Sequence, residues 1–229
     1  KNIIVTNTPD VLTDATAEIA ILILLGAARR AKEGIEWTNT KNWKWSADFL
    51  MGKQLTGARL GILGMGRIGR AVANIARSLG MIIHYHNRSQ LDKNLEKGAI
   101  FHNSLESLLS VSNFFSINCP ATKETKNIIN KKTLNYFPDG AVLSNSARGD
   151  MIEDNAMVEA LKNGKIYSLG IDVYNGEPDI HPEYLTLPNV FVLPHLGSAT
   201  IDTRTAMGNL AVSNLAEFFK NGKCKNTVN

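Results

Sequence analysis

The sequence predicts an α/β fold built on a doubly wound parallel sheet. Three observations lead there. Short apolar runs alternate with helical patterns from Ala58 onward, the signature of βαβ units. A glycine-rich turn joins the first of these runs to the first of these helices. Polar and reactive residues follow the strands rather than precede them. The 229 residues are enough to bury a core without staples, and 44% hydrophobic with 20% charged residues are ordinary globular proportions that exclude disorder, collagen or a coiled coil.

The chain opens at Lys1 and runs into an apolar stretch, Ile3-Ile4-Val5, read as a strand. The missing methionine points to a piece of a longer protein. A helix follows, with Asp14 as its cap, Glu18 in its first turns, and Ile19, Leu22, Ile23 and Leu25 at helical spacing toward Arg29-Arg30. Its apolar part is too short to span a bilayer, and its position and acidic lead-in do not fit a signal peptide. The stretch Trp37 to Met51 holds all three tryptophans, too aromatic for a linker and expected to bury against something. Strands are then expected at Leu60-Leu63, Met81-Tyr85, Asn113-Ile117, Ala141-Leu143, Tyr167-Val173 and Val190-Leu193. Helices are expected through Ile68, Val72, Ile75, Ala76 and Leu79, over Leu105 to Leu109 and over Asn155 to Leu161. One more amphipathic helix, Thr203 to Phe219, closes the chain.

Charge and cysteine usage narrow the function classes. The net charge is +4 and the pI near 9.0, but the basic residues are scattered, which sets nucleic acid aside. The two cysteines, Cys119 and Cys224, sit in no metal spacing and form no disulfide framework, in keeping with a reducing cytoplasm. His84 and His86, two apart on one strand, read as satisfied strand residues rather than metal ligands.

The chemistry starts at Gly64-Met65-Gly66-Arg67-Ile68-Gly69, between a strand and a helix. In that context G-x-G-x-x-G is a dinucleotide fingerprint of the Rossmann type. Gly64 permits the tight turn, Gly66 lets the backbone approach a pyrophosphate, and Gly69 lets helix and strand pack closely. The helix N-terminus then faces the phosphates. In such sheets ligands lie outside the carboxyl ends of the strands. There the chain places Asn87-Arg88-Ser89, Cys119-Pro120-Ala121-Thr122, Ser144-Asn145-Ser146-Ala147-Arg148-Gly149, Asp172 with Gly176-Glu177-Pro178, and Pro194-His195-Leu196-Gly197-Ser198.

An acid about 20 residues past the glycines serves the ribose 2′-hydroxyl of NAD, and an arginine nearby suits the 2′-phosphate of NADP. No Asp or Glu occurs in His86-Asn87-Arg88-Ser89. Neutral Asn87 does not repel a phosphate, Arg88 offers a charge-assisted contact, and Ser89 adds a donor. The expected cofactor is therefore NADP, with NAD the alternative.

Taken in order and spacing, these motifs resemble those of the D-isomer-specific 2-hydroxyacid dehydrogenases, and among them the glyoxylate/hydroxypyruvate reductase branch. Thr6-Asn7-Thr8-Pro9, Leu12-Thr13-Asp14-Ala15-Thr16-Ala17-Glu18, Gly170-Ile171-Asp172-Val173 and Pro194 to Thr200 carry the resemblance along with the motifs above. It implies reduction of a small 2-oxoacid to the D-2-hydroxyacid. Arg148 would hold the substrate's carboxylate and carbonyl, as a planar guanidinium does well. His195 would be the general acid, and Glu177 would bond its other ring nitrogen and favour the imidazolium. Asp172 would orient the nicotinamide carboxamide, with strand-end capping as the other reading. Cofactor contacts would come from Gly64, Gly66, Arg67, Ile68, Gly69, Asn87, Arg88, Ser89, Cys119, Pro120, Ser146, Ala147, Arg148, Asp172, His195 and Gly197, with Thr13 nearby.

The resemblance also implies a homodimer through residues 11–50, whose loop around Trp45 to Leu50 reaches the partner's active site. Residues 13–202 would form the dinucleotide-binding domain, and residues 1–12 and 203–229 remnants of a flavodoxin-like substrate domain. A chain starting at Lys1 would then bind cofactor but turn over poorly. Two departures stand out: most of that second domain has no counterpart here, and the usual acid after the second strand is missing. Alternatives are a nucleotide-gated corepressor on the same fold, like the C-terminal-binding proteins, or a phosphoglycerate or lactate dehydrogenase. Formate dehydrogenase fits poorly, because Glu177 stands where it uses glutamine.

Overall fold

The structure, a computed structural model, describes residues 3–228. Seven strands form one all-parallel sheet: β1 (Arg59–Leu63), β2 (Ile82–His86), β3 (Ile100–Phe101), β4 (Phe114–Ile117), β5 (Ala141–Asn145), β6 (Ile166–Ile171) and β7 (Val190–Val192). Their order is β3-β2-β1-β4-β5-β6-β7. The direction of winding reverses between β1 and β4, which makes the crevice above those two strands the switch point where such folds bind ligands.

Helices cover both faces, and the strands between them are accordingly mostly apolar. On one face α1 (Thr13–Ala28) and α3 (Arg67–Ser78) pack against Leu60, Ile62, Tyr85 and Phe114. On the other, α5 (Leu105–Val111) and α7 (Asp154–Lys162) pack against Phe115, Ile117, Leu143 and Leu169. Each such Leu, Ile or Phe contributes roughly 1.5–3 kcal/mol by leaving water. α1 is apolar almost all round and correspondingly deep, with Ile23 and Leu24 fully buried.

Several expectations need correcting. Asp14 does not cap α1: the cap position is Leu12, without a side-chain bond, and Asp14 sits in the first turn, where its charge suits the helix dipole. Ile3 to Val5 is no sheet strand. It is exposed, and the segment meets the other end of the chain through an isolated Thr6–Thr227 bridge. The tryptophan stretch begins as a helix, α2 (Ala31–Thr40). Its rings are not buried within this chain, Trp45 being 80% exposed. The short strand β3 was not foreseen, nor were the one-turn helices α4 (Lys93–Glu96), α6 (Lys131–Leu134) and α8 (Pro182–Thr186). The closing helix α9 spans Ile201–Asn221 and is capped by the Thr200 hydroxyl. Asn214 on it donates to the carbonyl of Asn7, tying the two terminal segments together.

His84 and His86, on β2 next to the edge strand β3, are both engaged. His84 Nδ1 lies 2.9 Å from His102 Nε2, and His86 Nδ1 lies 2.7 Å from the carbonyl of His102. Among the described residues no helix is long and apolar enough to cross a membrane.

Candidate active site

The glycine turn is fixed by sterics that can be read position by position. Gly64 has φ +93°, and a Cβ there would lie 2.5 Å from the backbone nitrogen of Cys119. At Gly69 it would lie 2.1 Å from the carbonyl oxygen of Gly64. Neither position admits a side chain. Gly66, the cap of α3, differs: an added Cβ meets nothing within 4 Å. Packing therefore does not demand glycine there, whereas a backbone that must approach a pyrophosphate does. The residues present fit a dinucleotide at this turn.

The residues after β2 divide their tasks. Asn87 Oδ1 accepts from the backbone N–H of Met65 at 2.7 Å, so this side chain braces the turn. Arg88 and Ser89 are exposed beyond it. Glu124 is held below the usual carboxylate range, first by the Thr122 hydroxyl and in smaller part by the charge of Arg88. The side chain of Arg67 turns the other way, to a 2.5 Å ion pair with Asp10. What it offers toward the turn is its backbone at the start of α3.

A cleft of about 650 Å³ opens beside the turn. Ile68, Cys119, Pro120, Ser146, Ala147, Arg148, His195 and Gly197 all line it, together with Leu12, Thr16, Asn118 and Met207. Thr13 is not among its walls. Thr16, one helical turn later on the same face of α1, takes that place. A second hollow of about 560 Å³ lies at the opposite edge of the sheet, where Arg30, Tyr167 and Phe191 contribute. Its Arg30 is already paired with Glu33 at 2.6 Å. None of the acid–base residues expected from the sequence lies there.

His195 lines the first cleft, and its partner Glu177 is not among the cleft's lining residues. His195 Nδ1 is 2.6 Å from Glu177 Oε2, and Glu177 Oε1 accepts from the backbone N–H of Tyr174 at 2.9 Å. Burial pushes the Glu177 carboxyl up. The bonds from His195 and Tyr174, with the charges of His195 and Arg148, outweigh that and hold it below its ordinary value. His195 occupies the left-handed region at φ +56°, a strained conformation for a side-chain-bearing residue that persists only when neighbours enforce it. Asp172 supplies the enforcement. Fully buried, it accepts the Leu196 N–H on Oδ1 at 2.8 Å and so pins the chain just after His195. Its Oδ2 is buried without a hydrogen bond. Burial raises the Asp172 carboxyl despite the bond from Leu196. The capping reading of this residue is the one its visible contacts favour, with Oδ2 as spare capacity.

Arg148 stands exposed at the cleft wall, with Nη1 donating to the carbonyl of Ala147 at 2.6 Å. The turn that presents it is stapled by Asn145. The Asn145 Nδ2 donates to the Arg148 carbonyl at 2.8 Å, and its Oδ1 accepts from Ala147 N–H at 3.0 Å. Cys119 packs its sulfur 3.8 Å from that of Met151, and burial pushes its thiol up to about 11, so it stays protonated and unreactive. Asn145 and Asn118 went unmarked as site residues, since an asparagine at a strand end reads as ordinary turn chemistry.

Comparison with known proteins bears on what this cleft does. The family model for the D-isomer specific 2-hydroxyacid dehydrogenase NAD binding domain matches residues 21–197. The chain is 44% identical over 92% of its length to a glycerate dehydrogenase of Hyphomicrobium methylovorum, of which it spans 66%. It is likewise 44% identical, over its whole length, to a glyoxylate reductase of Thermococcus kodakarensis, of which it spans 70%. Among solved structures it superposes with a TM-score of 0.91 on an NADPH-dependent glyoxylate/hydroxypyruvate reductase of Sinorhizobium meliloti in complex with NADP and malonate. There the identity is 35%, covering 99% of this chain and 70% of that one.

Proposed function

The chain belongs to the D-isomer-specific 2-hydroxyacid dehydrogenase family, and from that membership we propose that it reduces a small 2-oxoacid, glyoxylate or hydroxypyruvate, to the D-2-hydroxyacid. The observation that carries the reading is His195, bonded to Glu177 at 2.6 Å, lining the same cleft as the exposed Arg148. When bound, the reduced nicotinamide supplies the hydride. Glu177 accepts a hydrogen bond from the Nδ1–H of His195, which fixes the ring, favours the imidazolium and leaves Nε2–H to give its proton to the carbonyl oxygen. Arg148 binds the carboxylate with its planar fork and draws electron density from the adjacent carbonyl. Asp172 holds the loop so that His195 keeps its left-handed turn. In the oxidative direction His195 takes the proton back.

The cofactor reading is NADP. Arg88 is exposed after β2 with no acid among its immediate neighbours in sequence, and a reductase relative carries NADP. Steady-state kcat/KM for glyoxylate and hydroxypyruvate, with NADPH against NADH, tests substrate and cofactor together. NADPH is expected to be preferred, and Arg88→Ala to lower that preference about tenfold, the loss of one charge-assisted contact. A wild-type preference for NADH, or an unchanged ratio in the variant, defeats the assignment. Absence of turnover with every 2-oxoacid tried, alongside tight dinucleotide binding, would favour a nucleotide-gated binding protein instead.

Residues 11–50 form the proposed dimer surface. Ile35, Trp37, Trp43 and Trp45 are all exposed on one arm, and closed two-fold dimers are the commonest way to cover such a surface. Light scattering is expected to give a dimer, and a stable monomer would refute this. The terminal segments, residues 1–12 and 203–229, the second holding nearly all of α9, are assigned to a substrate domain.

A further inference from the structure

Arg148, Glu177 and His195 stand on three loops, and one residue lies against all three. Tyr174 is buried, only 7% exposed. Its backbone N–H donates to Glu177 Oε1 at 2.9 Å, and its hydroxyl donates at 2.6 Å to the carbonyl of Leu193, two residues before His195. On a third side its backbone meets the Arg148 loop. A Cβ added to Gly149 would lie 1.9 Å from the Tyr174 carbonyl carbon, so the two stretches of main chain pack in direct contact. The hydroxyl has one proton to give. The Ile171 carbonyl, at 3.4 Å, is the weaker acceptor and already takes the Leu193 N–H at 2.9 Å. Burial, and in smaller part the charges of Asp172 and Glu177, push the phenol well above its ordinary value, so it stays a donor across the neutral range.

That hydroxyl bond matters because of what it clamps. His195 keeps its left-handed φ of +56° only where neighbours enforce it. Asp172 holds the chain one residue after His195, through the Leu196 N–H. Tyr174 holds it two residues before. The residue that fixes one oxygen of the Glu177 carboxylate thus also fixes the approach to His195. The 2.6 Å separation between Glu177 Oε2 and His195 Nδ1 is therefore set from a single anchor. We propose that Tyr174 is the positioning residue of the acid–base pair, its hydroxyl holding the His195 loop at the distance where ring and carboxylate meet. This rests on the reductase reading above and deepens it.

The test is Tyr174→Phe, which keeps the ring, the backbone N–H and the contact with Gly149 and deletes only the hydroxyl. Reduction of glyoxylate and hydroxypyruvate is expected to lose about tenfold in kcat, because small misplacements of a catalytic group are costly. KM for the 2-oxoacid, which Arg148 governs, should stay within about twofold. His195→Ala supplies the control. In that background Tyr174→Phe should change the residual rate by less than about twofold, since a residue that acts through His195 has nothing left to position. An equal loss in both backgrounds would show that the hydroxyl only supports the fold, and an unchanged kcat would show that the tether does not hold the pair. Either result overturns the proposal. A readout without turnover is the Nδ1–H proton signal of His195 in protein carrying isotopically labelled histidine, identified by its loss in His195→Ala. Its exchange with water should quicken about tenfold in Tyr174→Phe as the loop loosens. An unmoved signal again overturns the tether. Faster exchange in a protein that reduces no 2-oxoacid would uphold the tether and defeat the reductase reading instead.

Discussion

At the glycine turn, two of the three glycines within six consecutive residues are demanded by backbone atoms, Gly64 by Cys119 N and Gly69 by the Gly64 carbonyl, and the third, Gly66, faces open space. At the proposed acid–base end, Arg148, Glu177 and His195 come from three loops; Asn145 and Tyr174 brace the first two locally, while the His195 loop is held by Glu177 and Asp172 from farther along the chain. The turn is rigid because nothing else fits. The acid–base end is rigid because Asn145 staples one loop and Asp172 pins another. Changing the first kind of site damages the fold before it damages chemistry. On the proposed function, changing the second kind is expected to remove chemistry from a fold that survives.

The sharpest way to break that contrast is within the turn itself. Gly69→Ala places a methyl 2.1 Å from the Gly64 carbonyl, a collision with backbone that no rotamer relieves. It is expected to cost about 3 kcal/mol in denaturant unfolding, at the upper end for overpacking. Gly66→Ala meets open space at φ −74°. Its stability should stay within about 0.5 kcal/mol while dinucleotide affinity falls. Similar destabilisation by both changes would mean that packing, not the ligand, explains all three glycines.

His195→Ala probes the other end. With half of its side chain exposed, its removal should leave unfolding midpoints almost unmoved. Reduction of the 2-oxoacid should lose roughly two to four decades in kcat, the span of general acid catalysis. A melting midpoint that drops along with kcat would show that the His195 loop is structural.

What the residues disclosed in advance follows the same division. The strands from β1 onward, apart from β3, are legible as apolar runs between helical patterns, because burial on both faces keeps polar positions few, such as Ser116, Ser144 and Ser168. β3 is only Ile100 and Phe101, too short to carry a period. α2 was hidden because Gly34, Thr38 and Asn39 dilute its pattern and none of its residues is buried in this chain. Ile3 to Val5 has the composition of a strand, but it joins no ladder of the sheet: Val5 accepts from the Val228 N–H and the next residue, Thr6, forms an isolated bridge with Thr227. In the site, Arg148, Glu177 and His195 were legible through motif order, not through local pattern. Thr13 stood in for Thr16 because sequence alone does not say which face of α1 meets the cleft. Asn87, read for its neutrality toward a phosphate, turned out to brace Met65.

The smallest expected effect concerns the link between the acid–base pair and stability. Glu177 is pushed up by burial, but the hydrogen bonds from His195 and from the Tyr174 N–H, with nearby positive charge, bring it below its ordinary value. A carboxyl whose value is lower in the folded than in the unfolded chain stabilises the fold in its ionised form. That contribution is complete above the unfolded value, about 4.3 for glutamate, and drains away as pH falls through the folded one. Glu177→Gln keeps an oxygen for His195 Nδ1–H but removes the charge. The wild-type advantage over it should be less than about 1 kcal/mol at pH 7, because the pair is partly exposed. It should be flat down to about pH 5 and then shrink toward pH 3. Urea titrations of both proteins across that range measure the difference directly. An advantage that persists or grows in acid would mean that the Glu177 carboxylate is not stabilised by the fold, and that His195 is held in place by Asp172 and the loop backbone alone.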